Sequence, residues 1–240
     1  MNPPAQRSVM IPWPAPLPAP QVRTMEEMRP VLADPECTCS DPLYLMYRNL
    51  ALSGTDAAWL REQEIRYDMT VIPARVLCGE FVKTKGHFHP ENPCGWAYPE
   101  IYEVLEGEAH FLLQDRALSD VVLIHARAGE KVVMPPGYGH VTINPGSQPL
   151  TMVNLVSTAF ESLYGDYEKR QGAAYYEFSG SGCKLNPRYP AVPPLRFLRA
   201  RDLTFPRSLP GGSLYGWIGD PEALGFLNRP EEYPGLFTLP

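Results

Sequence analysis

Histidine is scarce in this chain, five among 240 residues, yet two of the five stand one residue apart in "KTKGHFHPENPCGWAYPEIYEVLEGEAHFLLQ", residues 83–114. Alternate side chains of an extended strand share a face, so His87 and His89 point one way and Phe88 the other. Two imidazoles converging on one side can ligate a transition metal, although such a pair alone reads equally well as surface histidines on a strand edge. Two further segments change the balance. Glu100 opens an alternating apolar run that reaches Gly107 at a hairpin turn. Downstream, "GEKVVMPPGYGHVTIN" sets His140 shortly after Pro136-Gly137, a pair suited to the centre of a type II turn because glycine supplies the positive φ there. His110 and His125 lie mid-strand without a convergent neighbour, and are expected to be surface or hydrogen-bonded structural histidines.

The elements that must hold these residues are mainly strands. From about residue 68 onward "MTVIPARVL", "EFVKTKGHFH", "EIYEVLEG", "EAHFLLQ", "DVVLIHARAG", "EKVVMPPG", "HVTINPG" and "LTMVNLV" form short β-branched or aromatic runs between Gly/Pro/Asp turns. That spacing predicts an all-β fold, a jelly-roll barrel over roughly residues 68–180. Helical signals are few: "TMEEMRP" offers a Thr24–Glu27 capping box, and Thr55–Arg66 is the best helix candidate. Of 28 prolines, seven fall in the first 20 residues and ten after residue 185. Both ends therefore read as extended arms, the C-terminal one carrying enough aromatic residues to dock on the barrel or on a second subunit. The division expected is an N-terminal arm over 1–40, a barrel with a preceding helix over 41–182, and a C-terminal extension over 183–240.

Composition narrows the function. A net charge of −6 with no Lys/Arg run argues against nucleic acid as the main partner, since phosphate-backbone binding needs a concentrated basic face. No window reaches the 18 apolar residues of a membrane span, and the proline-broken N-terminus lacks the apolar core of a secretory signal, which points to the cytoplasm. The five cysteines (37, 39, 78, 94 and 183) are odd in number and include no C-x-x-C pair, so they are expected to be reduced thiols; Cys37-x-Cys39 is a minor metal-binding alternative.

The two histidine-bearing segments resemble the two motifs of the cupin superfamily. The second matches at Gly129, Pro135, Gly137, His140 and Asn144; the first departs in lacking a glycine six residues before His87 and in the ten residues between His89 and Glu100. The resemblance implies a metal site of His87, His89, Glu100 and His140, with one divalent metal per subunit: Fe²⁺ first, with Mn²⁺, Ni²⁺ or Zn²⁺ as alternatives. "YDMTVIP", "GEFVKTKGHFHP", "PEIYEVLEGEAHFLLQ" and "VMPPGYGHVTIN" look more narrowly like the archaeal-type, cupin-fold glucose-6-phosphate isomerases, over about residues 40–170. That likeness implies a homodimeric, glycolytic or gluconeogenic enzyme that interconverts glucose 6-phosphate and fructose 6-phosphate through a cis-enediolate. Glu100 would be the base, detaching partly from the metal, unless a hydride shift between the carbons bypasses it; the substrate contacts would come from Thr70, Thr84, Lys85, Gly86, Tyr102 and Tyr167, with Tyr47 a weaker candidate. Simple alternation separates Lys85 from Thr84 and Gly86, so all three can serve only if the strand bulges near Gly86. Where the family carries a histidine before an Asp-Tyr pair, this chain has Gly165, and Tyr164 could take over that contact. The insertion "PENPCGWAYP" is expected either to cover the pocket or to be a longer hairpin connection. Two competitors are another cupin metalloenzyme acting on a different sugar phosphate, and a non-catalytic metal- or sugar-binding cupin.

Overall fold

Strand periodicity dominates from Ile65 to Ser157. A computed structural model describes residues 17–40, 42–203 and 209–240. Its strands are β1 (Gln21–Arg23), β2 (Tyr44–Tyr47), β3 (Ile65–Ile72), β4 (Val76–Leu77), β5 (Glu80–Phe81), β6 (Glu100–Glu106), β7 (Glu108–Asp115), β8 (Val121–Arg127), β9 (Lys131–Met134), β10 (Tyr138–Ile143), β11 (Leu150–Ser157), β12 (Tyr175–Phe178), β13 (Gly182–Leu185) and β14 (Arg196–Arg199). A six-stranded sheet in the order β1-β2-β3-β11-β6-β9 faces a four-stranded sheet in the order β10-β7-β8-β14. The two meet in one core, where Tyr102 of β6 packs on Phe111 of β7 with ring centroids 5.3 Å apart. A third, small sheet, β13-β12-β5-β4, flanks the barrel. This is the expected all-β jelly roll.

The turns obey the chemistry of their residues. Tyr138 N–H donates to the Pro135 carbonyl at 3.2 Å, and Gly137 takes φ +82° between them, so the turn delivers His140 to β10. The segment between β5 and β6 breaks from regular pairing. Lys83 pairs with Ile143 and His87 with His140, so four steps along one chain oppose three along the other. That is a bulge, and it falls where Gly86 stands.

The six-stranded sheet is covered on both faces, so β6 and β11 are buried along nearly their whole length. Its outer side carries Tyr67, Met69, Ile101, Leu105, Val153 and Leu155, under a layer of Leu60, Leu214, Trp217, Leu224 and Phe226. Helix α1 (Met25–Met28) has the expected capping box, with Thr24 Oγ1 accepting from Glu27 N–H and Glu27 reaching back to Thr24 N–H. Helix α2 (Gly54–Glu62) stops short of the Arg66 end expected from sequence: Glu64 adopts φ +53°, and the next residue opens β3. Helices α3 (Gly165–Lys169) and α4 (Pro221–Leu224) complete the α-helices of the described residues.

The arms are woven into the barrel. Residues 1–16, with five of the seven N-terminal prolines, lie outside the described residues. Beyond them β1 edges the large sheet and Met28, Val31 and Leu32 enter the main core. At the other end β14 adds in parallel to β8, and the chain from Leu214 on covers the outer sheet face. Breaks at 40 and 182 thus mark changes of composition more than limits of packing.

Cysteine chemistry corrects one expectation. Cys37 and Cys78 are joined in a disulfide that closes a 41-residue separation, while Cys39, Cys94 and Cys183 are free. Cross-linking a loop of that length restricts the unfolded chain and contributes on the order of 2–4 kcal/mol. Alkylation of the denatured, unreduced protein should therefore label three of the five cysteines. Cys37→Ser together with Cys78→Ser should lower the melting temperature by several degrees; labelling of all five, or an unchanged melting temperature, counts against the bond.

Candidate metal centre

Four side chains converge between the sheets. His87 and His89 come from the bulged segment, Glu100 from the first position of β6, and His140 from β10, and their ligand atoms all lie within 4.8 Å of one another. His87 Nε2 is 3.1 Å from His89 Nε2, while Glu100 Oε2 is 3.5 Å from His89 Nε2 and 3.3 Å from His140 Nε2. Reciprocal backbone hydrogen bonds between His87 and His140 fix the spacing of two ligands. The donor set, three imidazoles and one carboxylate each turning an atom to a common point, fits a divalent transition metal.

Neighbouring groups orient the four. His89 Nδ1–H donates to the Tyr98 carbonyl at 2.8 Å, which leaves Nε2 bare toward the cluster. The His89 ring lies 4.4 Å from that of Phe160, which stacks on Tyr98. Asn154 Nδ2 donates to Glu100 Oε1 at 2.6 Å and so turns Oε2 inward. Burial raises the affinity of Glu100 for its proton, but the hydrogen bond and charge of His140, with His89 and Arg66, together hold the carboxyl below its ordinary value. Burial also pushes the imidazoles down: His87 falls well below the usual histidine value, and His89 to about 4. Both rings are therefore neutral, ligand-ready bases at pH 7.

The pocket over this cluster is lined by Thr70, Thr84, Lys85 and Tyr102 from the sequence candidates. Tyr102 hydroxyl stands 3.4 Å from His140 Nε2. The bulge resolves the alternation problem, since Thr84 and Lys85 both reach the pocket. Three expected contacts do not. Tyr47 lies on the outer face of β2, packed with the outer apolar layer; alternation instead turns Tyr44 and Met46 inward. Gly86 sits over Tyr167, so close that a Cβ there would meet the Tyr167 ring at 2.4 Å. Tyr167 itself is buried in the core beneath Gly86, Gly139 and Phe88, and does not line the pocket. Tyr164 does line it, with its ring 5.4 Å from that of His87.

Sequence reasoning missed Arg23, Tyr44, Arg48, Arg66, Asn154 and Ser162, all pocket residues. The insertion after His89 does not cover the pocket. It folds as a hairpin with Glu91 opposite Ala97, Asn92 capping the amides of Cys94 and Trp96, and Asn92 Nδ2 donating to Glu231. Cys94 is exposed and takes no part in the cluster. His110 and His125 are hydrogen-bonded to Glu177 and Glu108.

Fold and site together define a jelly-roll barrel with a cluster of three histidines and one glutamate between its sheets that could hold a metal ion. Residues 22–191 match the model of the glucose-6-phosphate isomerase (GPI) family, and the chain belongs to that family. The glucose-6-phosphate isomerase of Thermococcus gammatolerans is 26% identical over 174 residues, covering 70% of this chain and 86% of that protein. That of Pyrococcus furiosus is 33% identical over 105 residues, covering 44% of this chain and 53% of that protein, so this match spans about half of its length. Among solved structures, an oxalate oxidase is similar with a TM-score of 0.38 and 20% identity, over 52% of this chain and 57% of that one.

Two measurements test this geometry. Because His89 has a folded-state value near 4 against 6.5 for the free side chain, the unfolded, metal-free chain binds more protons between those values. Stability of the chelated protein should therefore be complete above pH 6.5 and fall toward pH 4, with His87 adding in the same direction. Each imidazole contributes a slope of up to about 1.4 kcal/mol per pH unit. Urea melts at stepped pH read it, and a flat profile would place both rings in solvent. Tyr167→Phe should leave the KM for sugar phosphate unchanged, whereas Gly86→Ala should cost about 1–3 kcal/mol through overpacking.

Proposed function

We propose that the protein interconverts glucose 6-phosphate and fructose 6-phosphate, with His87, His89, Glu100 and His140 holding one divalent metal, Fe²⁺ first among Fe²⁺, Mn²⁺, Ni²⁺ and Zn²⁺. The observation that carries this reading is the four-atom cluster set beneath a cation- and hydroxyl-lined pocket, in a chain of the isomerase family. When bound, the metal would supply Lewis-acid stabilisation of negative charge on the substrate oxygens. The remaining chemistry belongs to the chain. Aldose–ketose exchange moves a proton between C1 and C2 through a cis-enediolate, and Glu100 is the carboxylate positioned to carry it. Asn154 holds Oε1 of that carboxylate, and Oε2 is its atom in the metal cluster, so proton transfer through Oε2 requires it to leave the metal during turnover; a hydride shift between the carbons is the alternative. Tyr102, kept protonated by burial beside Glu100, can donate a hydrogen bond to a substrate oxygen.

A homodimer and a cytoplasmic setting are part of this proposal. The first draws on exposed apolar side chains such as Phe197, 67% exposed on the edge strand β14, since the C-terminal aromatic residues cover the chain's own sheet. The second draws on the substrate, a phosphorylated sugar of central metabolism. No described helix is long and apolar enough to cross a membrane.

The test is a coupled assay of fructose 6-phosphate conversion on chelated protein reloaded singly with each metal. Activity should return with metal at about one ion per chain and drop at least a hundredfold in His140→Ala and Glu100→Gln. Turnover in D₂O should leave deuterium on the product carbon if Glu100 carries the proton; retention of the original hydrogen alone would assign a hydride shift. Stoichiometric metal without conversion under any loading would overturn the isomerase reading and favour a different phosphorylated sugar.

A further inference from the structure

Parallel pairing of β14 with β8 sets basic side chains side by side at the edge of the four-stranded sheet. Arg199 stands opposite His125, and Arg127 follows His125 by two residues, so it shares that face. Both β8 residues alternate with the buried Ile124 and Ala126, which turn the other way. A single 3-10 turn, Ala200–Asp202, then brings Arg201 to the same place. With Glu130 these side chains line a surface cavity of about 180 Å³, at the corner where the chain passes from β8 to β9.

The charges of this cavity do not balance. Glu108, which register sets opposite Arg127, gives its carboxylate to His125 at 3.0 Å instead. Glu130 Oε2 accepts from the Arg127 backbone N–H at 2.8 Å rather than from a guanidinium group. Arg201 has only its chain neighbour Asp202, 3.9 Å away, with both side chains more than half exposed. Among the described residues no hydrogen bond or ion pair occupies the guanidinium groups of Arg127 and Arg199. Three fixed positive charges thus converge on a cavity that holds one carboxylate, in a chain whose net charge is −6. Like charges set next to each other on paired strands destabilise the pair, and an anion between them removes that cost.

The donors indicate which anion. A guanidinium is a planar fork that takes two oxygens at once, the geometry of phosphate recognition. Three such forks ask for more acceptors than the three strong ones of a single phosphate monoester, and adjacent phosphates supply them. Position separates this cavity from the metal centre. His125 lies opposite His110 on the outer face of the sheet, whereas the next residue, Phe111, packs on Tyr102 between the sheets. None of the residues lining this cavity lines the metal pocket. Arg199 and Arg201 also lie beyond residues 22–191, the part of the chain that the family model matches.

We infer that this cavity binds a small molecule bearing adjacent phosphates, held by Arg127, Arg199 and Arg201, and that it is a second site apart from the metal centre. The bound molecule would bridge β8 to the start of the C-terminal extension. Calorimetric titration of the full-length, metal-loaded protein with inorganic pyrophosphate, ADP and inorganic phosphate tests it, with metal content checked after each titration. Pyrophosphate should bind at about one per chain, about tenfold or more tighter than phosphate, and should still bind in excess fructose 6-phosphate. Arg127→Gln and Arg199→Gln should each weaken it by about tenfold or more, and the triple variant with Arg201→Gln should abolish it. Arg61→Gln, at an exposed arginine of α2, should change nothing. Without ligand, the three single variants should melt at or above the temperature of the parent, because each removes an unpaired like charge; a merely structural arginine would lower it. Turnover of fructose 6-phosphate in the absence of pyrophosphate should be the same in all of them. ADP binding tighter than pyrophosphate would assign a nucleotide, and equal binding the diphosphate group alone. Pyrophosphate that is displaced by fructose 6-phosphate, that binds the triple variant as well as the parent, or that does not bind the parent would overturn the inference.

Discussion

The site depends on one short stretch of backbone pairing. His87 N–H donates to the His140 carbonyl at 3.4 Å, and His140 N–H donates back at 3.1 Å. This two-bond bridge joins a segment that is otherwise not a regular strand to the edge of a four-stranded sheet. A slip of one residue would turn both imidazoles of the pair to the opposite face. The surplus residue between Lys83 and His87 is what brings Thr84 and Lys85 to the pocket together. Its crest is Gly86, over which the Tyr167 ring occupies the space a side chain would need. Gly139, next to His140, is closed off in the same way by Phe88 and the Tyr167 hydroxyl. Tyr167 thus supports the cluster from beneath, through the glycines next to His87 and His140, without facing the pocket.

The second constraint is electrostatic. The chain carries a net charge of −6, yet its pocket gathers Arg23, Arg48, Arg66 and Lys85 around Glu100. A fully buried carboxylate such as Asp68 is tolerable only when its oxygens are satisfied, and it has two guanidinium groups and a backbone N–H. Glu100 solves the same problem with an amide and histidines. The two carboxylates occupy neighbouring rows of one sheet face and are separated by Asn154, which lies opposite Asp68 and bonds to Glu100. Negative charge in the barrel is therefore spent locally, and what remains toward the cavity is positive.

Much of this was legible in the order of residues, for identifiable reasons. Period-two alternation and glycine-bearing turns place β6 to β11 closely, and the histidine spacing points to three members of the four-residue cluster. Short range is where the reading worked. Tyr47 was misplaced because a four-residue strand has no fixed phase until its partner is known; pairing with β3 turns Tyr44 inward instead. Arg48, Arg66 and Asp68 lie 20 residues apart at most and show no motif, since only the β2–β3 register brings Arg48 beside Asp68. The Cys37–Cys78 bond joins the N-terminal segment to the β4–β5 turn, a proximity no spacing rule supplies. The end of α2 was overrun because Gln63 and Glu64 are good helix formers, and the left-handed backbone at Glu64 is imposed by entry into β3.

The C-terminal extension, which added nothing to the family resemblance, is a working layer of the structure. Strands β6 and β11 place Ile101, Leu105, Val153 and Leu155 on the outer face, and each such side chain left in water would forfeit about 1.5–3 kcal/mol. Leu214, Trp217 and Phe226 remove that face from solvent, and Leu214 N–H is anchored on Glu103 Oε2 at 2.6 Å. The same extension touches the site at one remove. Glu231 accepts from Asn92, whose side chain organises the 90–99 hairpin, and that hairpin ends at Tyr98, whose carbonyl fixes the tautomer of His89. The insertion and the extension therefore act as one support: the longer loop between His89 and Glu100 is held in shape by the extension it meets. A chain lacking either part would present the same four side chains with the His89 imidazole no longer oriented.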